Sequence, residues 1–109
     1  MAAVDRFEVK INGTGTHAAA PQNGNDPIVT ASQIVTSIQS IVSRYVSPAD
    51  MAIISVTRIS GGNTWNVIPE SVVMEGTMRT FKKSVQERIK KLFIQVIKNY
   101  TEAFEQKYE

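Results

Sequence analysis

Apolar and polar residues alternate over positions 5–12. Phe7, Val9 and Ile11 point one way, and Arg6, Glu8, Lys10 and Asn12 the other, which predicts a strand with one buried face. Positions 13–25 break the alternation with Gly, Thr, Asn and Pro and read as a loop. Asp26-Pro27 then starts a helix, with aspartate as N-cap and proline in the first turn, where its missing N–H does no harm. Ala31, Ile34, Val35, Ile38, Ile41, Val42 and Tyr45 recur at helical spacing to about Arg44. The opposite face carries Thr30, Ser32, Gln33, Thr36, Ser37, Gln39 and Ser40. It is uncharged and small, so solvent exposure is the first reading and contact with another subunit the second.

Ser47-Pro48-Ala49-Asp50 reads as a turn. Positions 51–60 are rich in β-branched residues and predict a second strand, ended by Gly61-Gly62. After a loop over 61–69, positions 71–81 predict a third. Val72, Met74 and Met78 share one of its faces, and Val73, Glu75, Thr77 and Arg79 the other. Ser84-Val-Gln-Glu87 predicts a capping box opening a helix whose stripe is Val85, Ile89, Leu92, Phe93, Val96, Ile97, Tyr100 and Phe104. The order β-α-β-β-α predicts an α+β, ferredoxin-like sandwich with two helices on one face of an antiparallel sheet. One more strand would complete it. That strand would start about where residues 105–109 end the sequence, so it is expected to be missing.

Composition adds boundaries rather than direction. At 109 residues, 42% hydrophobic and 20% charged, the chain is one ordinary domain with a single core. It has no cysteine, hence no thiolate nucleophile or thiolate metal site, and a reducing, cytoplasmic setting is expected. A net charge of +2 is too small to imply a polyanionic partner. Lys82, Lys83, Arg88, Lys90, Lys91 and Lys98 alternate with acids and read as a solvated helix face without aromatics for base stacking, so no nucleic acid is expected. The apolar stretches are too short to span a membrane, and the N-terminus has no basic-then-apolar signal pattern.

The candidate chemistry is sparse. His17, the only histidine, lies in GTGTHAAAP; Asn66 lies in GGNTWNVIP and Arg79 in EGTMRTF. GTGTHA fits a dinucleotide fingerprint by letter. The helix opens too late to meet a pyrophosphate, however, and no ribose-binding acid follows at the required distance. With no second histidine and no nearby carboxylate pair, an intrachain zinc site is not expected. No orienting acid and activated serine suggest a triad. Each residue has a bland reading: a structural histidine, a turn asparagine, an arginine paired with Glu75, and a Trp65 packing its loop on the sheet. A lone histidine with an asparagine and an arginine can nevertheless bind an anion or polarise a carbonyl.

Taken in order, DRFEVKINGTGTHAAAP, NDPIVTASQIVTSIQSIVSR, ISVTRISGGNTWNVIPE and EGTMRTF resemble the lid, or dimerisation, domain of family-20 metallopeptidases. The likeness is greatest to the amidohydrolase branch of hippurate hydrolases, N-acyl-amino-acid amidohydrolases, auxin-conjugate hydrolases and N-acetyl-diaminopimelate deacetylases. It covers nearly the whole chain. A departure is the lysine and second glycine pair that the branch often carries before the histidine. The resemblance implies that residues 1–109 are one domain cut from a larger enzyme whose catalytic part holds two divalent metals, usually zinc. The isolated chain would then be inert. The resemblance also implies a homodimer through this domain, by the 51–60 strand and the small-residue helix face, and N-acyl amino acids or short peptides as substrates. His17 is similar to the lid histidine that reaches a partner subunit's active site and donates to the scissile carbonyl oxygen. Asn66 and Arg79 are similar to the residues that hold the substrate carboxylate. The alternative is a free-standing ferredoxin-like module that binds a small molecule or drives assembly without catalysis.

Overall fold

The alternation over 5–12 becomes a ten-residue strand at the centre of the sheet. The computed structural model describes residues 2–109. The chain runs β1 (Ala3–Asn12), β2 (Thr16–His17), α1 (Pro27–Tyr45), β3 (Ala52–Ser60), β4 (Val67–Ile68), β5 (Ser71–Thr80), α2 (Lys83–Ala103) and β6 (Lys107–Tyr108). β1 and β5 pair antiparallel along their whole length, from Ala3 opposite Thr80 to Asn12 opposite Ser71. The sheet order is β3-β5-β1-β6, every neighbour antiparallel. The chain therefore has the expected α+β architecture.

The expected missing strand needs correction. β6 begins it: Tyr108 and Lys107 pair with Ile11 and Asn12. Lys10 and Glu109 exchange both backbone hydrogen bonds, at 3.1 and 2.9 Å. From Ala3 to Val9 the β1 edge has no strand beside it among the described residues.

The helices cover one face. Val9, Ile11, Ile54, Val72, Met74 and Met78 of the sheet meet Ala31, Ile34, Ile38 and Ile41 of α1 and Ile89, Phe93 and Ile97 of α2. α1 lies over β3 and β5, and α2 reaches β6 as well as β5 and β1. In β3 the apolar pattern slips from Ile54 and Val56 to Ile59. A bulge between Val56 and Arg58 absorbs the extra residue, so Arg58 stands opposite Glu75.

Three local expectations fail for tertiary reasons. Thr30, assigned to the polar face of α1, is only 2% exposed, because α1 is pressed by both the sheet and α2. Its hydroxyl is satisfied by the Asp26 carbonyl at 3.4 Å. Ser37 of that face likewise turns inward to share a 2.7 Å hydrogen bond with the Tyr100 hydroxyl of α2. The capping box does not form. Lys82 is the N-cap, without a side-chain cap bond, and Ser84 already lies inside the first turn. Contacts across the fold hold that end instead: Lys82 to Asp50 at 2.8 Å, Gln86 donating to Asp5 at 2.8 Å, and Lys90 to Asp5 at 3.1 Å. The Asp26 cap does form, its carboxylate accepting the Ile28 N–H at 2.9 Å. Among the described residues no helix is long and apolar enough to cross a membrane.

Gly76 is required by close approach. Opposite it in β1 stands Phe7, whose ring packs 4.7 Å from that of Phe93, centroid to centroid. A Cβ on Gly76 would lie 2.0 Å from the Ser55 carbonyl oxygen and 2.4 Å from the Phe7 ring. Gly76→Ala should therefore destabilise the domain by about 1–3 kcal/mol, read by denaturant unfolding; an unchanged midpoint would contradict this packing. Asp5 supplies a second prediction. The Gln86 hydrogen bond and then that from Lys90 hold its carboxyl below the ordinary 3.8, while partial burial opposes them. A carboxyl lowered by folding stabilises the fold above its unfolded pKa and loses that contribution as pH falls through the folded one. Stability should thus fall as pH drops below roughly 4, and less steeply in Asp5→Asn, when unfolding is followed across that range.

Candidate functional site

The central strand pair does not stop at the sheet. Beyond Asn12 and Ser71, the Gly13 N–H donates to the Glu70 carbonyl at 2.7 Å. After one extra residue on the first strand, pairing resumes as β2–β4, with Thr16 opposite Ile68 and His17 opposite Val67. The Ala18 N–H then donates to the Asn66 carbonyl at 2.9 Å. The loops predicted at 13–25 and 61–69 are therefore one two-stranded ribbon continuing the β1–β5 ladder. Gly15 permits this, since a Cβ there would lie 2.8 Å from the Ile68 carbonyl oxygen.

The base of the ribbon is clamped to α2 by side-chain amides. Asn25 donates to the carbonyls of Phe104 and Glu105, while Gln106 donates to the Asn25 side-chain oxygen and, at 3.1 Å, to the Asp26 carbonyl. Thr14 and Asn25 close the loop through paired backbone bonds of 2.9 and 2.7 Å. Neither Asn25 nor Gln106 stands out in the sequence. They are 81 residues apart, and no local pattern joins them.

His17 is exposed on this ribbon, as its glycine-flanked setting predicts. Its Nδ1 accepts the Ala19 N–H at 3.1 Å. That bond uses the Nδ1 lone pair, which assigns the proton of the neutral ring to Nε2, directed away from the bond as a free donor. Asn66 follows on the facing strand, its side-chain oxygen accepting from the Thr64 hydroxyl at 3.3 Å. An open cleft of about 850 Å³ lies between the two loops; His17, Ser60, Asn63, Thr64, Glu70 and Ser71 are among its polar lining. The structure thus sets the backbones of His17 and Asn66 side by side on the ribbon, while Asn66 is not among the residues that line the cleft.

It does not bring Arg79 to them. Arg79 is paired with Val4 and Ile53 near the opposite end of β5. Eight residue steps of strand separate it from Ser71, roughly 26 Å. The suggested Glu75 partner is engaged elsewhere, by Arg6 at 3.3 Å and Arg58 at 3.7 Å. Among the described residues Arg79 has no ion pair, and its cross-strand neighbours Val4 and Ile53 are 64% and 45% exposed. It stands as an unpaired guanidinium on the helix-free face of the sheet. Trp65 also departs from expectation: instead of packing its loop on the sheet it is 92% exposed, because the ribbon holds the loop clear of the core.

Metal chemistry has no seat in this donor set. Among the described residues no three His, Asp or Glu side chains converge on a point where an ion could bind. The residues present do not fit a dinuclear centre.

An N-acetyl-L-cysteine deacetylase of Bacillus subtilis is 54% identical over 104 residues, covering 95% of this chain and 25% of that protein. An N-acyl-L-amino acid amidohydrolase of Geobacillus stearothermophilus is 40% identical over 109 residues, covering 100% of this chain and 30% of that protein. Among solved structures, a dinuclear metal-binding peptidase of the M20 family from Bacillus subtilis superposes with a TM-score of 0.76 at 33% identity, covering 99% of this chain and 25% of that one. The chain thus spans about a quarter of the length of the curated relatives it matches. Residues 4–105 match the family described as the peptidase dimerisation domain, and the chain belongs to that family.

Proposed function

We propose that this chain is the dimerisation and substrate-binding lid of a longer, metal-dependent amidohydrolase that cleaves the amide bond of N-acyl amino acids. The observation that carries the proposal is the His17 imidazole. The Ala19 N–H holds it with Nε2–H outward, on a ribbon that also presents Asn66. A neutral donor fixed in direction suits a carbonyl oxygen that gains negative charge as the amide is attacked, since the site need not reorganise during the reaction. Two divalent metals, zinc by the resemblance, would lie in the part of the enzyme outside this chain, where they would activate water.

Arg79 fits the substrate carboxylate, because an unpaired guanidinium fork can grip it with two parallel hydrogen bonds. Its distance from His17 means that one chain cannot present both to one small substrate. A homodimer resolves this: His17 serves the active site of the neighbouring subunit, and Arg79 serves that of its own subunit. β3 is the free sheet edge suited to pairing the subunits, with exposed Ile53 and Ile59 on it, and the small-residue face of α1 is the second candidate contact. The cysteine-free composition is compatible with a cytoplasmic setting for such an enzyme.

In the longer enzyme, His17→Ala should lower kcat on the order of a hundredfold or more while bound metal, measured by elemental analysis, is unchanged. Parallel loss of metal and activity would count against the oxyanion role. Mixing His17→Ala subunits with subunits disabled at the metal site should restore part of the activity, and no recovery in mixed dimers would exclude action across the interface. Arg79→Met should reduce kcat/KM by roughly ten- to a hundredfold, the scale of one charge-assisted contact. That penalty should shrink for a substrate whose carboxylate is replaced by an amide.

A further inference from the structure

Trp65 is the only tryptophan in the chain and, at 92%, the most exposed large apolar side chain among the described residues. An indole offers a large apolar surface whose burial is strongly favourable, and nothing in this chain covers it. Its backbone is nevertheless well placed. Asn66, the next residue, is hydrogen-bonded to Ala18, and Val67 pairs with His17. Adjacent Cα atoms are about 3.8 Å apart and paired ones about 5 Å, so the Trp65 Cα lies within about 9 Å of that of Ala18. An indole starting there is within side-chain reach of a molecule touching the His17 ring.

We infer that Trp65 is a specificity-determining residue that packs against a flat, apolar acyl group of the substrate. The inference rests on the amidohydrolase reading of this same site. In an N-acyl amino acid the acyl substituent is bonded directly to the carbonyl carbon whose oxygen would meet His17. The carboxylate lies beyond the amide nitrogen, on the side that Arg79 would hold. The acyl group is therefore the part of the substrate that must stay beside the ribbon. Around the cleft the ribbon and its loop offer Asn63, Thr64, Glu70 and Ser71, all polar, and the small apolar surfaces of Val67 and Ile68. Trp65 is not part of the cleft lining itself, but it is the one aromatic residue of this loop, set between Thr64 and Asn66. An acetyl group would leave most of the indole in water, whereas a benzoyl-sized group would cover it. Because Trp65 and His17 stand on one chain, the pairing holds whichever subunit's metal centre they serve.

The test compares kcat/KM for the N-benzoyl and N-acetyl derivatives of one amino acid, in the longer enzyme carrying wild-type, Trp65→Ala, Trp65→Phe or His17→Ala sequence. Trp65→Ala should lower the benzoyl-to-acetyl ratio roughly tenfold, chiefly through KM for the benzoyl substrate, and Trp65→Phe should keep most of it. An unchanged ratio would overturn the inference. So would equal loss on both substrates, which would make Trp65 a contact to protein. His17→Ala should lower both substrates alike. If that holds while Trp65→Ala leaves the ratio unmoved, the acyl inference fails and the amidohydrolase reading stands. If His17→Ala is without effect, the underlying reading fails as well.

Discussion

The β1–β5 ladder is the interaction on which the rest of the structure depends. Ten residue pairs in unbroken register place Val9, Ile11, Val72, Met74 and Met78 on one face, where α1 and α2 close over them. A slip of one residue along this ladder would turn every core side chain of the shifted strand outward. The same ladder, continued past the end of the sheet, becomes the ribbon that carries His17 and Asn66. Core and candidate site are therefore positioned by one set of backbone hydrogen bonds, and the position of the imidazole inherits the rigidity of the sheet.

Polar side chains do the remaining positioning, and they act at a distance. Asn25 and Gln106 bind the foot of the ribbon to the end of α2, joining residues from opposite halves of the chain. Asp5 gathers Gln86 and Lys90 and so fixes the start of α2 against β1. On the open face of the sheet Arg6 and Arg58 converge on Glu75. That pairing occupies the one acid near Arg79 on its own strand face. The guanidinium is consequently left without an acid partner on its strand face, and under the proposed function its separation from His17 would make dimerisation a condition for assembling a complete site.

Element types were legible because periodicity reports burial directly. The alternation in β1 and β5, the helical stripes and the Asp26-Pro27 helix start each encode a local rule that packing then reinforces. The failures have a common origin. Thr30 looked polar but lies where two layers press on α1, and Ser84 looked like a cap but the helix start is held by residues of other elements. Trp65 reads as packing its loop on the sheet, yet the loop is held away from the core by strand pairing that no local pattern announces. The fourth strand was underestimated because two paired residues are too few to generate a period.

By itself the sequence determined the order of elements and the faces that become the core, since each depends on residue type and local spacing, and it singled out His17, Asn66 and Arg79 as candidates. Only the tertiary structure decided which of them meet. The backbones of His17 and Asn66 adjoin because two loops 49 residues apart continue one ladder, while Arg79 stays remote because it sits near the far end of the same strand. Convergence is a property of strand register and of contacts between distant segments, and neither is written in the neighbourhood of the residue concerned.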